Sequence, residues 1–176
     1  SQATEELARL ATGAADELFI FVDNAEQDAR AIAALPAIKS MDIEQQVPVL
    51  QALRTEFTRY AQFGIAAPDP KTGRLLLTIP SIDVDSIAKV PSYQSAATGV
   101  QDAIIFPALN SDKLILHIHT PITNTQNEVV GVLGSPIPLP NLQEILKKRC
   151  INGGNALLID TSGAVVVQAK PDPLPA

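Results

Sequence analysis

The sequence contains no tryptophan, and aromatic residues make up only 4% of its 176 residues. The core must therefore be built mainly from Leu, Ile, Val and Ala. An apolar content of 46% supplies enough of these residues and excludes general disorder. The length is sufficient for one domain with a substantial core, or for one domain and a fragment of another.

Cysteine and the common catalytic motifs are also scarce. Cys150 is the single cysteine, so the chain cannot form an internal disulfide, and a zinc site of the usual spacing lacks its partner ligands. No Gly-rich loop lies between a strand and a helix, and no Gly-x-Ser-x-Gly motif is present. The sequence therefore predicts no cofactor, no metal site and no catalytic residues, and we expect a domain that is not itself an enzyme.

Positive charge is the scarcer sign, with 13 Lys and Arg against 19 Asp and Glu and a net charge of −6. Without a basic run, binding to nucleic acid or to an anionic membrane surface is disfavoured. No apolar run approaches the roughly 20 residues of a membrane-spanning helix, and the N-terminus has no signal-peptide hydrophobic region. Both ends look like cuts, so we expect an excised piece of a longer protein.

One long helix is predicted over residues 2–35, because apolar residues recur there at helical spacing along a single stripe. The stripe contains Leu7, Ala11, Ala14, Leu18, Phe21, Ala25, Ile32 and Leu35. Two interpretations stay open, since the stripe could pack only on the chain's own sheet or form a parallel homodimer with a second copy. Asp28 falls at a seam position and argues against a long continuous coiled coil.

The remaining elements alternate between strands and short helices. A second helix is predicted over 42–62, a hairpin over 63–79, a short helix over 92–98, and strands over 103–109, 114–120 and 128–137. Pro140 opens a further helix, and a last hairpin covers 155–167. In the two hairpins we expect turns formed by Asp69 with Gly73 and by Asp160 with Gly163. This order indicates an α+β fold with an antiparallel sheet.

Three segments of the sequence follow one another in an order that is typical of one family of domains. The first is the long helix followed by a second helix and a strand–Asp–Gly–strand hairpin. The second is PSYQSAATG, which is similar to the family's aromatic-Gln-x-Ala-x-x-Gly segment through Tyr93, Gln94, Ala96 and Gly99. The third is HTPITNTQNEVVGVLGSPIPLPNLQEIL, which resembles the family's paired strands and following helix. In their order and spacing these segments resemble the Cache family of PAS-like extracytoplasmic sensor domains. Residues 153–166 are similar to the start of the next module in double-Cache sensors.

The resemblance implies a ligand-binding domain of a chemoreceptor, sensor histidine kinase or nucleotide cyclase. Such a domain lies outside the cytoplasmic membrane, between transmembrane helices that are absent from this chain, and relays ligand binding as a shift of its long helix. The expected organisation is a signalling helix over 1–40, a membrane-distal Cache-like domain over 41–152, and a terminal hairpin over 153–176. The hairpin either completes the domain or begins a truncated second module.

The ligand is expected between the sheet and the loop that carries Tyr93 and Gln94, the two positions that the family places at the pocket lid. His117 and His119 share one face of a strand and could grip a ligand, although a purely structural pair is the alternative. Phe106, Thr120 and Ser135 could line the same pocket. For Tyr93 and Phe106, a role in the core stays open. The seven predicted ligand-binding residues are Tyr93, Gln94, Phe106, His117, His119, Thr120 and Ser135.

The class of ligand is predicted from two positions. Some relatives bind amino acids through an Arg before the aromatic-Gln segment and an Asp in the following strand. Here Val90 takes the first position, and Leu133 or Ser135 takes the second. A zwitterion held by an Arg fork and a carboxylate needs both charges, so the sequence predicts a ligand other than an amino acid. An uncharged ligand, a carboxylic acid or no ligand at all is expected instead.

Two other classes of function stay open. A protein-interaction module without a small-molecule ligand would have the same fold. A small α+β enzyme would need converging catalytic groups, for which only the His117–His119 pair offers a start.

Overall fold

The computed structural model describes residues 1–150, 155–159, 161–163 and 165–170. By its contacts the chain divides into two compact units. The terminal unit comprises Ser1–Asp23 with Leu139–Ala176, and the sheet unit comprises Asn24–Pro138. The division into domains at residues 40 and 152 stays a prediction.

The described part of the chain contains helices and antiparallel strands in the predicted order. The helices are α1 (Gln2–Ala33), α2 (Pro36–Lys39), α3 (Ile43–Glu56), α4 (Pro91–Ala97) and α5 (Leu139–Lys147). The strands are β1 (Phe63–Ala66), β2 (Leu75–Ile79), β3 (Asp102–Pro107), β4 (Leu114–Thr123), β5 (Val129–Gly134), β6 (Ile137–Pro138), β7 (Ala156–Ile159) and β8 (Val165–Ala169). The predicted α+β fold is confirmed. Within the described residues, none of the helices combines the length and the apolarity needed to cross a membrane.

The terminal unit is built around the β7–β8 hairpin. Its apolar cluster contains Ala14 from α1, Leu146 from α5, and Val167 and Ala169 from β8. The side chain of Arg149 pairs with Glu17 of α1 and lies against Gly13, where a Cβ atom would come within 2.8 Å of the guanidinium. In the predicted turn of this hairpin, Gly163 has a φ of 86°, whereas Asp160 lies outside the described residues.

The sheet unit contains an antiparallel sheet with strand order β2-β1-β5-β4-β3, and β6 pairs with β4 beyond the end of β5. Side chains alternate between the two faces along each strand. On β4, Ile118, Thr120 and Ile122 share one face, which we call the back face. His117 and His119 share the other, the front face.

The C-terminal part of α1 lies against the back face. Gln101 donates through its side-chain amide both to the Glu26 carbonyl of α1 and to the Thr120 hydroxyl of β4. Tyr60 is buried and donates its hydroxyl to the Ala25 carbonyl of the same helix. The C-terminal part of the long N-terminal helix thus packs on one face of the sheet, as predicted for this helix, and leaves the front face to other elements.

The second predicted helix is shorter than expected and is preceded by one that was not foreseen. Pro36, the residue after the first predicted helix, begins the single turn α2, because its fixed φ is suited to a first helical position. Asp42 caps α3 by accepting from the Glu44 backbone amide. Asp28, the charged residue at a seam position of the predicted apolar stripe, forms an ion pair with Arg59, a residue that follows α3.

Helix α4 covers part of the front face and clamps the β1–β2 turn. Tyr93 is fully buried and donates its hydroxyl to the carbonyls of Ala67 and Asp69, at 2.6 and 2.9 Å. The amide of Gln94 donates to the carbonyl of Pro70 at 2.8 Å. These hydrogen bonds fix the hairpin to the helix.

The β1–β2 turn depends on Gly73. Its φ is 50°, and an added Cβ atom would lie 2.3 Å from the Ala88 backbone nitrogen. The Ile87 amide donates to the Gly73 carbonyl at 2.8 Å, which holds the two segments together. A side chain is therefore excluded both by the backbone conformation and by the neighbouring backbone.

We predict that Gly73→Ala destabilises the protein by about 2 kcal/mol more than Gly99→Ala does, because only the first adds a backbone clash to an unfavourable φ. Gly99 is the matched control, since its φ is 103° but an added Cβ would meet only Val129 at 3.8 Å. Urea unfolding of both variants measures the difference. Equal losses of stability would contradict the proposed packing of this turn.

Candidate functional site

The candidate site is a cavity of about 240 Å³ on the front face of the sheet unit. Four residues that face one another across successive strands cross its base: His119 on β4, Gly134 on β5, Gly64 on β1 and Thr78 on β2. We call these four residues the floor row. With strands about 4.8 Å apart, the row spans roughly 14 Å.

The two glycines create the open space. A Cβ atom on Gly64 would meet the Leu77 carbonyl at 3.5 Å, and one on Gly134 would meet His119 Nε2 at 3.4 Å. Neither distance is a severe clash, so a small side chain would fit on either strand and point into the cavity. Because neither glycine has a side chain, bare backbone lies between His119 and Thr78, as expected where a ligand approaches a strand closely.

Loops supply the walls of the cavity. One wall is the segment after β2, which contributes Pro80 and Ile82 and is tied down by the Ile82 amide donating to the Thr78 hydroxyl at 3.1 Å. The β3–β4 turn forms the opposite wall. The remaining lining residues are Ala61, Gln62, Ala66, Leu75, Ile87, Ala108, Leu109, Asn110, Ile115, His117 and Pro136.

No charged side chain is among the described residues that line this cavity. The lining is mostly apolar, with neutral polar groups from Gln62, Thr78, Asn110 and the two histidines. Such a lining favours a compact molecule without net charge, because an unpaired ion loses its hydration when it enters.

The two histidines are buried and stacked on each other. His117 and His119 are 3% and 4% exposed, with ring centroids 5.8 Å apart. Desolvation lowers the pKa of His117. The pKa of His119 is lowered to about 3 by burial and, secondarily, by the neighbouring His117. Both rings are therefore neutral near pH 7 and act through hydrogen bonds instead of charge.

Both histidines are oriented by hydrogen bonds to the protein. His117 Nε2 donates to the Pro107 carbonyl at 3.0 Å. His119 Nδ1 lies 2.7 Å from the Ser92 hydroxyl of α4. Within the described residues no group of three His, Cys, Asp or Glu side chains could hold a metal ion.

The seven predicted ligand-binding residues lie in different places. Only His117 and His119 line the cavity. Tyr93 and Gln94 clamp the β1–β2 turn, and Phe106 meets the His117 ring edge-on at 6.2 Å. Thr120 is bonded to Gln101 on the back face. Ser135 is fully buried, and its hydroxyl has no hydrogen-bond partner among the described residues.

Several lining residues were missed in the sequence, including Gly64, Thr78, Asn110 and Gly134. The glycines carried a signal, since Gly inside a strand commonly marks close approach of a ligand or backbone. Gly64 and Gly134 stand directly opposite each other, but this register is set by long-range pairing between β1 and β5. Thr78 and Asn110 had no distinguishing signal.

The lowered pKa of His119 predicts a specific acid sensitivity. The unfolded state takes up a proton on this ring below about pH 6.5, whereas the folded state does not until about pH 3. The contribution of His119 to the free energy of unfolding is therefore fully present above pH 6.5 and is lost as the pH falls from 6.5 toward 3. Between pH 7.5 and pH 5 we expect a loss of about 2 kcal/mol from His119 alone. Urea unfolding at the two pH values measures the loss, and His119→Gln should remove most of it. An unchanged pH dependence in that variant would contradict the assignment.

The sequence matches no protein-family model and no curated protein. Solved structures do resemble it. The ligand-binding domain of the Pseudomonas fluorescens chemoreceptor CtaA in complex with L-serine has a TM-score of 0.72 at 18% identity, over 98% of this chain and 74% of that one. A second neighbour is the ligand-binding domain of the Pseudomonas aeruginosa amino acid chemoreceptor PctC in complex with GABA. Its TM-score is 0.75 at 15% identity, over 98% of this chain and 78% of that one. The Vibrio cholerae histidine kinase DctB sensor domain has a TM-score of 0.71 at 13% identity, over 95% and 65%.

These neighbours contradict the prediction that the ligand is not an amino acid, since CtaA structures contain L-serine, L-isoleucine and L-leucine. The prediction rested on missing charges at positions that do not face the cavity. Val90 packs in the apolar cluster around Tyr93, and neither Leu133 nor Ser135 is among the cavity-lining residues. Their lack of charge therefore carries no information about the ligand. At the level of fold, the resemblance to Cache-type sensor domains is confirmed.

Proposed function

We propose that this chain is the extracytoplasmic ligand-binding domain of a transmembrane signalling protein, and that it binds a compact amino acid in the cavity over the floor row. The observation that carries the proposal is the pair of facing glycines, Gly64 and Gly134, which leave a recess on the front face of the sheet. The fold shared with chemoreceptor and histidine kinase sensor domains supports the same function.

An amino acid suits the chemistry of the cavity. The carboxylate and the ammonium of a zwitterion each lose hydration on entering the cavity, and neutral polar groups of the lining, including Thr78, Asn110 and His119, would supply replacement hydrogen bonds. The volume of about 240 Å³ is smaller than that of most drug-sized sites, which begin at roughly 300 Å³. The apolar walls from Ile82, Ile87 and Ile115 would surround an aliphatic side chain.

Signalling would follow from differential affinity. A ligand that binds one arrangement of the sheet better than another shifts the population toward it, by no more than the difference in binding free energy. The long helix α1 would carry this shift toward the membrane as a small displacement between two copies. Phe19 and Ile20 of α1 are 72% and 57% exposed, which supports a pairing of this helix with a second chain.

The glycine floor provides the first test of this function. We predict that a panel containing L-serine, L-isoleucine, L-leucine and GABA includes a compound that raises the melting temperature, because a ligand of the folded state stabilises it. Gly64→Val should abolish this shift without lowering the stability of the free protein, since its side chain fills the cavity and Val is favoured in strands.

Gly131→Ala is the matched control for this experiment. Gly131 lies on the same strand as Gly134, but an added Cβ there would meet the flexible end of Met41, 2.6 Å away. Ligand binding should persist in this variant. Binding that survives in Gly64→Val, or a complete absence of stabilising compounds for the parent protein, would overturn the proposal.

A further inference from the structure

The Ser92 hydroxyl and the His119 ring form a buried pair that has no part in the core packing described above. Ser92 is fully buried in α4, and its hydroxyl lies 2.7 Å from Nδ1 of His119. The opposite ring nitrogen, Nε2, lies above Gly134 in the floor row. The hydrogen bond that His119 forms with the described residues is made by Nδ1 and not by Nε2, and the ring lines the cavity. This nitrogen therefore opens into the cavity.

The direction of the Ser92 hydrogen bond follows from the groups available. A buried hydroxyl must donate its proton somewhere, and within the described residues His119 Nδ1 is the one partner of Ser92. On the cavity side of the ring, an N–H at Nε2 of His119 can bond to water or to a ligand. Donation from Ser92 to Nδ1 satisfies both groups. The neutral ring must then carry its own proton on Nε2.

We infer that Ser92 is a positioning residue that holds His119 in the Nε2–H tautomer, and that this N–H receives the carboxylate of the bound ligand above Gly134. The inference rests on the proposed function and specifies the orientation of the ligand in the same cavity. The aliphatic part of the ligand then lies toward Thr78, across the glycine floor. Specificity for a carboxylate would come from a neutral, pre-oriented donor instead of an arginine.

The surroundings of the ring support this assignment. Tyr93 packs edge-on against His119 at 6.1 Å and His117 stacks on it, so the ring has little freedom to turn over. Asp102, which faces His119 from β3, has its carboxylate bonded to the Ser95 hydroxyl and to the Ala103 amide. Among the described residues, the side-chain partner of this imidazole is therefore the Ser92 hydroxyl and not a carboxylate.

The tautomer can be measured without any ligand. Nitrogen-15 NMR of the histidine rings, recorded near pH 7, distinguishes a proton on Nε2 from one on Nδ1. We expect the Nε2–H form for His119 in the parent protein and a mixture of both forms in Ser92→Ala. Thr98→Ala is the control, because it removes a hydroxyl at the end of the same helix that donates to the Ser95 carbonyl and contacts neither His119 nor Asp102 by a hydrogen bond. An Nδ1–H form in the parent protein would overturn the inference whatever binds in the cavity.

The second arm measures binding by calorimetry. It uses the panel amino acid that stabilises the protein most, together with the corresponding amino alcohol, which lacks the carboxylate. Ser92→Ala should weaken binding of the amino acid at least about tenfold, the loss expected when one hydrogen bond to a charged group is weakened. The amino alcohol should bind weakly to both proteins, and Thr98→Ala should bind the amino acid like the parent.

The two arms separate failure of the inference from failure of the proposed function. Equal affinity of Ser92→Ala and the parent for the amino acid would overturn the role of Ser92 while leaving the ligand-binding function intact. A parent protein that has the Nε2–H tautomer but binds no amino acid would refute the proposed function, and with it the assignment of His119 as the carboxylate donor.

Discussion

The absence of side chains at two facing positions, Gly64 and Gly134, is the constraint on which the site depends. Strands packed against helices normally fill their inner face, and α4 does fill one part of it through the cluster around Tyr93 and Val132. Beyond that cluster the floor row has no side chain between His119 and Thr78. The Tyr93 and Gln94 clamp holds the β1–β2 turn, which is flanked by the lining residues Ala66 and Leu75.

Much of the fold could be predicted from local patterns. The periodicity of the first helix, the Asp–Gly turn at Asp69 and Gly73, and the alternation in β4 each depend on neighbours in sequence, and each is present in the structure. Two features escaped because they depend on context. Pro36, directly after the first predicted helix, begins a helical turn of its own. Helix α3 ends at Glu56, whereas the sequence predicted a helix to residue 62.

The site was harder to predict, because cavities arise from register. His117 and His119 could be placed on one face from their spacing alone, and they line the cavity. Tyr93 and Gln94 belong to a recognisable segment, but here their polar atoms are used in holding a turn. Thr120 faces away because alternation on β4 puts it opposite the histidines. Gly64 and Gly134 face each other because β1 pairs with β5. The two glycines are about 70 residues apart in the sequence, beyond the range of local patterns.

A crystal structure of the chain grown with its best stabilising amino acid tests the central claim most directly. The account predicts electron density for the compound above Gly64 and Gly134, with a carboxylate oxygen within hydrogen-bond distance of His119 Nε2. Density for the compound on the back face or in the terminal unit, with the space above the two glycines occupied only by water, would contradict it.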